Sequence, residues 1–343
     1  MRPLFSSMLI LALVGCGTVT EPGSGSGADA SPFIACDTDS DCPADEPVCD
    51  DMSKTCRGCT ASSECTASPG LSECHVDTGS CVQCTESNQC TASTSNICDA
   101  ETFQCRGCQT HDECASNFCD TDTSTCVDAD DIIYVDGDSN ANMCGTMAAP
   151  CPTVADGVAK LSVSPTKRQY IRILPSATPY SDGSAGFIGN LYVLADGAEF
   201  EFPTMPMTVP DSAYFGLTNT NGPFIWDGGT YSQGVVQIFD IGNNANAIIK
   251  NVTFDSVPNG ANLISGRLAL LDSECRGSVT CIRAGNASNL RVERNRFFGN
   301  RDTTISVDET NARIRNNLFV GNGLEFGYTR TVDLGASNNG TVQ

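Results

Sequence analysis

The chain has 343 residues, enough for one large domain and something smaller, with 19 basic against 41 acidic side chains and a formal charge of −22. A field of that sign excludes nucleic acid and bare anionic lipid as partners, and suits solubility, cations or basic ligands. Its 21 cysteines point away from the reducing cytoplasm.

The first element is an export signal. One positive charge at Arg2 precedes an apolar run from Leu4 to Val14. That run is about half of the ~20 residues a membrane-spanning helix needs, so it reads as the core of a signal peptide. It ends in Leu13-Val14-Gly15-Cys16, which resembles a bacterial lipobox. The resemblance implies cleavage before Cys16 and acylation of its thiol, because stable anchoring takes more than one acyl chain. An ordinary secretory signal, cleaved between Gly25 and Ala30, is the alternative. Residues 1–16 are thus expected to be the signal, and 17–35, rich in Gly and Ser, a flexible tether. The expected location is the outer membrane, lipid-anchored and facing outward.

Residues 36–128 form a module that repeats itself. Its cysteines fall in four blocks: Cys36, Cys42, Cys49, Cys56; Cys59, Cys65, Cys74, Cys81; Cys84, Cys90, Cys98, Cys105; and Cys108, Cys114, Cys119, Cys126. In every block five residues separate the first two cysteines and six separate the last two, while the middle gap varies. Two fixed arms around a variable loop describe a disulfide-stapled unit whose loop lies at the surface. The residue before the second cysteine is Asp41, Glu64, Gln89 or Glu113, and Ser53, Thr78, Thr102 and Thr123 recur inside the fixed arm. Acid and hydroxyl residues at such places close tight turns, so each arm is expected to be a two-stranded ribbon. Units of about 24 residues are too small for an apolar core, and disulfides must replace it.

Zinc is the rival reading, since Cys56-x2-Cys59, Cys81-x2-Cys84 and Cys105-x2-Cys108 look like half-sites with His75 and His111 nearby. Export into an oxidising compartment favours disulfides, and without Cys16 the cysteine count is even. Four cysteines allow three connectivities; the expectation is first to third and second to fourth, with both histidines exposed. Residues 36–126 carry 3 basic and 17 acidic side chains. The module resembles the tandem four-cysteine repeats of surface lipoproteins of the myxobacterial type. That resemblance implies a stalk or interaction module without catalytic residues.

From residue 129 to 343 the character changes to short β-branched and aromatic runs bounded by Gly, Asn and Asp. Ile132-Ile133-Tyr134-Val135 leads through Asp136-Gly137-Asp138-Ser139-Asn140 and a loop spanned by Cys144 and Cys151 into an amphipathic stretch, 153–162. This opening resembles that of bacterial right-handed parallel β-helix domains of the pectin-lyase-like class, in which a helix caps the first coil. Further strands are expected at Tyr170–Leu174, Leu191–Leu194, Phe200–Phe202, Tyr214–Leu217, Val235–Ile238 and Ala247–Phe254. Arg291-Val292-Glu293-Arg294-Asn295-Arg296-Phe297-Phe298-Gly299-Asn300 matches Arg313-Ile314-Arg315-Asn316-Asn317-Leu318-Phe319-Val320-Gly321-Asn322 at an offset of about one β-helix coil. Val292/Ile314 and Phe297/Phe319 should then stack inward, and Asn295/Asn317 should form a ladder at a turn. A two-sheet sandwich has no reason to repeat at that period. Cys275 and Cys281 read as the ends of a pinned loop leaving one coil. The fold class is therefore mainly β: disulfide-rich repeats followed by a single-stranded right-handed parallel β-helix with an N-terminal capping helix.

Candidate sites are few. The β-helix region contains no histidine, and its lysines are Lys160, Lys167 and Lys250. Polysaccharide hydrolases need converging carboxylates with one raised pKa, and lyases a base, so the sequence argues against catalysis. The one site-like cluster is Arg291, Arg294, Arg296, Arg301, Arg313 and Arg315, where alternating arginines on neighbouring coils could grip carboxylates or sulfates. Asp136, Asp138 and Asn140 have a calcium-like spacing, but the glycine and distal glutamate of the helix–loop–helix calcium motif are missing, so a capping turn is the plainer reading. No other cofactor is implied. The expected function is a membrane-anchored, non-catalytic adhesin or scaffold binding a glycan or another surface protein. The alternative is a polysaccharide lyase or related carbohydrate enzyme.

Overall fold

The computed structural model describes residues 34–342 apart from 93, 163–166, 182–184, 188, 203–212, 218–221, 233–236, 243–244, 264, 286–288, 309–310, 324–330 and 335–340. Cys16, the signal and nearly all of the tether lie outside the described residues. By contacts the chain divides into two compact units, Met1–Thr85 and Glu86–Gln343. The composition change near Asp130 therefore falls inside the second unit, and the fourth cysteine block is counted with the β-helix.

Each cysteine block is one short 3-10 turn followed by one hairpin. The four turns are Asp39–Asp41, Ser62–Cys65, Ser87–Gln89 and His111–Glu113. The side chain before the second cysteine closes each turn: Asp41 accepts from Thr38 N–H, Glu64 from Ala61, Gln89 from Glu86 and Glu113 from Thr110. Satisfying these otherwise orphaned donors is what makes an acid or amide recur there. In the hairpins the third and fourth cysteines sit directly opposite each other, as in Cys49 with Cys56 and Cys119 with Cys126. They do not bond each other but reach back. Cys36–Cys49, Cys59–Cys74 and Cys108–Cys119 join first to third; Cys42–Cys56, Cys65–Cys81, Cys90–Cys105 and Cys114–Cys126 join second to fourth. Cys84 and Cys98 are disulfide-bonded as well.

The remainder is a parallel β-solenoid built on three sheets of nine, seven and six strands. From Leu191 onward each coil visits the nine-stranded, then the six-stranded, then the seven-stranded sheet, for example Ala245–Lys250, Thr253–Asp255, Asn259–Leu263. The core is a set of stacked columns. Ile171, Val193, Trp226, Ile249, Leu270, Val292 and Ile314 follow one another in register. Phe200, Tyr231, Phe254, Cys275, Phe297 and Phe319 form a second column, with Phe297 and Phe319 stacked at 4.9 Å. Ring spacing there follows the distance between neighbouring strands, and Cys275 alone interrupts the aromatics of the column.

From Asn251 onward the corner from the nine- to the six-stranded sheet takes two residues. The first has positive φ, at Asn251, Asp272, Arg294 and Asn316. The second, from Ser273 onward, supplies a ladder, in which Ser273 Oγ accepts from Val252 N–H. Asn295 Oδ1 accepts from Ser273 N–H at 2.9 Å, and Asn317 Oδ1 from Asn295 N–H at 2.9 Å. Their amides donate to Leu270 O and Val292 O. The next corner repeats the device with Asn300 and Asn322, which accept from Ser278 and Asn300 N–H. The Gly-Asn pair closing the sequence repeat is therefore a second ladder.

Three expectations are corrected in detail. The run Ala247–Phe254 is two strands, Ala245–Lys250 and Thr253–Asp255, broken where Asn251 turns at φ 55°. The capping helix is shorter than 153–162, spanning Val154–Val158, with Thr153 accepting from Asp156 N–H. It lies so close on the first strand that a Cβ at Gly157 would come within 2.5 Å of Val135. Cys275 and Cys281 do not pin a loop leaving the coil; they bridge the ordinary corner between two strands, buried in the core at 1% and 0% exposure. Cys144–Cys151 staples the loop before the helix.

Candidate anion-binding groove

The outer face of the nine-stranded sheet changes chemistry along its length. One outward column reads Ile132, Tyr170, Tyr192, Ile225, Ile248, Ala269, Arg291, Arg313; its neighbour reads Tyr134, Arg172, Leu194, Asp227, Lys250, Leu271, Glu293, Arg315. The first half of the first column is aromatic and aliphatic and that of the second sets Tyr134 and Leu194 beside Arg172 and Asp227, while the last half of both carries the arginines.

The apolar half is covered by the fourth cysteine block. Phe118 and Val127 pack into a cluster with Ile132, Tyr134, Tyr192, Leu194 and Ile225. Around them runs a polar network. Arg168 Nη1 holds both oxygens of Asp120 at 2.8 Å, and Tyr170 donates to Asp120 at 3.0 Å. Asp227 receives Tyr192 and Lys250 at 2.8 Å, Asn251 at 2.7 Å and His111 Nε2 at 3.3 Å. Burial would raise the Asp227 carboxyl, but its bond to His111 and the charge of Lys250 hold it well below the carboxylate range. Burial, and then the charge of Asp227, push the Tyr192 hydroxyl upward. Cys119 N–H donates to His111 Nδ1 at 3.1 Å, so Nε2 carries the proton in this geometry.

The histidines are therefore not exposed. His111 is mostly covered, with its side chain 21% exposed, and His75 is half-buried with its Nδ1 2.9 Å from the Thr78 hydroxyl. Although the β-helix sequence lacks histidine, the cysteine module delivers an imidazole to its face. No local signal in the sequence announces that meeting.

Beyond the covered half lies an open groove of about 630 Å³, lined by Arg267, Arg291, Arg313 and Arg315 with Asn246, Asn289 and Asn311. Glu293 sits among the arginines: Arg315 Nε at 2.6 Å, Arg291 Nη2 at 2.7 Å and Arg313 Nε at 3.6 Å. They leave it 1% exposed while staying 33–59% exposed themselves, so Glu293 is roofed by guanidinium groups rather than sunk in the core. The hydrogen bond from Arg291, then that from Arg315, lowers its carboxyl to about 2.

Of the sequence candidates, Arg291, Arg313 and Arg315 thus come together. Arg294 turns the corner and forks onto Asp272 at 2.6 and 2.7 Å, keeping only its Nη1 near Glu293 at 3.8 Å, and it does not line the groove. Arg296 belongs to the six-stranded sheet, in register with Glu274 and Leu318, outside the groove. Arg301 follows the second ladder, also outside it. Arg267, missed in the sequence, lines the groove and makes no ion pair among the described residues. Its signal was its place between Asn246 and Asn289 in register.

The calcium reading finds a turn. Asp136 Oδ1 accepts from Asp138 N–H, and Asp138 Oδ2 from Ala177 N–H at 2.8 Å. Among the described residues, the clusters close enough to hold a metal are cysteine trios that disulfides already use.

The chain is similar over residues 23–132 to a family of unknown function, DUF8331. That stretch takes in all four cysteine blocks and stops at the first residue of the solenoid. No curated protein and no solved structure matches the chain.

Proposed function

We propose that this chain is a lipid-anchored, non-catalytic protein of the bacterial outer membrane, facing outward as an adhesin or scaffold that binds an acidic glycan. The observation that carries the reading is the convergence of Arg291, Arg313 and Arg315 on the single carboxylate of Glu293, in an open groove that Arg267 also lines. Three guanidinium groups exceed one carboxylate in charge, and their outward N–H donors suit the carboxylate or sulfate of a sugar. Asn246, Asn289 and Asn311 alongside offer amides to hydroxyls. Among the described residues, arginine is the only ionisable residue lining the groove, and it stays protonated, which favours binding over elimination chemistry.

The test is retention of carboxylated, sulfated and neutral polysaccharides by the full chain and by the double variant Arg291→Ala/Arg313→Ala. The acidic chains should be held, with affinity falling at least tenfold in the variant and with rising salt. Equal retention of neutral chains, or release of unsaturated products, overturns the reading. Cys16→Ala should lose fatty-acid label; retained label removes the anchor.

A further inference from the structure

Asp227 and Lys250 face each other in register on adjacent strands of the nine-stranded sheet. Their side chains are 4% and 17% exposed, and Lys250 Nζ lies 2.8 Å from Asp227 Oδ2. Lys54 and Asp51, by contrast, meet at 3.5 Å in the open. An amine and a carboxyl group held in contact away from water have two outcomes: a lasting ion pair, or loss of water to give an amide.

The surroundings favour the second. Burial works against both charges, and one proton crossing from Nζ to Oδ2 removes both, leaving an amine and a carboxylic acid. The two carboxyl oxygens are held for different fates. Oδ1 accepts from the Asn251 amide at 2.7 Å, where the electron pair of an attacked carbonyl collects. Oδ2 accepts from the Tyr192 hydroxyl at 2.8 Å and faces His111 Nε2 at 3.3 Å. A ring of hydroxyls joins the nitrogen to that same oxygen. Lys250 Nζ donates to Thr121 Oγ1 at 2.8 Å, Thr121 Oγ1 lies 3.1 Å from Tyr192 Oη, and Tyr192 Oη donates to Asp227 Oδ2. Thr121 belongs to the fourth cysteine block, so the seating of that block completes the ring.

We infer that Lys250 and Asp227 form an amide cross-link between neighbouring coils. The Lys250 lone pair bonds to Asp227 Cγ and the Cγ–Oδ2 bond breaks. Of the three ammonium protons, one passes to Oδ2 directly and one through Thr121 and Tyr192, and the third stays on the amide nitrogen. Oδ2 departs with its two protons as water, and no oxidant or cofactor enters. Continuous contact supplies an effective concentration of about 10⁵ M or more, which brings a step that is slow between free molecules within the life of the protein.

Trypsin reads the bond in the full chain, because the sequence between Arg172 and Lys250 has no lysine or arginine, and the next is Arg267. An acylated Lys250 resists cleavage. The wild-type digest should therefore hold fragment 173–267, lighter by one water, in place of 173–250. Lys250→Arg keeps the charge on a guanidinium that does not give up its proton, and should release 173–250 at its full sequence mass. Tyr192→Phe keeps the ring but opens the relay, and should lower the cross-linked fraction of freshly made protein at least tenfold. Wild-type fragment 173–250 at its full mass overturns the cross-link, as does loss of water that persists in Lys250→Arg. Undiminished cross-linking in Tyr192→Phe overturns the relay.

Discussion

Replacing Asn295 by alanine separates a ladder that holds the coils from a mere pattern of asparagines. The side chain is 1% exposed and serves two buried backbone groups, Ser273 N–H and Leu270 O, each at 2.9 Å. Truncation leaves both without a partner in a place water does not reach. An unsatisfied buried group costs about 1–3 kcal/mol, so the variant should lose roughly 4 kcal/mol. Asn317 makes the same pair of bonds one coil later, to Asn295 N–H and Val292 O, but it is half-buried. Water replaces its bonds in part, so Asn317→Ala should lose about 1–2 kcal/mol. A solenoid opens locally, and hydrogen exchange of the peptide containing Ser273 is the suitable assay. Every 1.4 kcal/mol is tenfold, so that peptide should exchange at least a hundredfold faster in Asn295→Ala, and the peptide containing Asn295 about tenfold faster in Asn317→Ala. Unchanged protection at Ser273, or a larger effect from the more exposed asparagine, refutes the ladder as a source of stability.

Glu293 titrates near 2 in the folded chain, below an ordinary carboxyl, so its contribution is present above about pH 4.5 and is lost as pH falls toward 2. Acid titration of wild type and Glu293→Gln, followed by exchange in 289–315, should show that wild-type protection declines over this window and that the variant is flatter; parallel curves refute the assignment. Asp227→Ala removes the common partner of His111, Tyr192 and Lys250, and breaking a buried pair costs about 3–5 kcal/mol. Exchange should accelerate in 108–126 and stay unchanged in 311–322; equal protection of 108–126 shows that Phe118 and Val127 alone hold the fourth block.

The parts of the fold that were legible in the sequence are those where one coil copies the next. Val292 and Ile314, Phe297 and Phe319, and Asn295 and Asn317 repeat because stacked strands demand the same residue type at one register. Coils farther back meet the same demand with different residues: Trp226, Ile249 and Leu270 fill one column without resembling each other. Strands such as Phe224–Asp227 and Glu274–Arg276 carried no repeat and were missed. The grouping of Arg291, Arg313 and Arg315 was legible because strand pairing brings residues one coil apart together. The sorting of Arg294 and Arg296 elsewhere was not, since it depends on where a two-residue corner falls. The place of His111 beside Asp227 was illegible, because contacts between distant parts of a chain leave no local periodicity.

That two-residue corner also governs how such a surface changes in size. From Asn251 onward it holds one residue in the left-handed region and one that follows it, so a single insertion there would turn the side chains of the strand that follows to the opposite face. Length can be gained or lost only a whole coil at a time. Each coil of the 22-residue ladder period adds one strand, and so about 4.8 Å of groove, while the ladder and the aromatic column continue across the join. The groove is in this sense graduated. Duplicating or deleting a coil resets the length of polymer it spans and leaves the chemistry of each rung as it was.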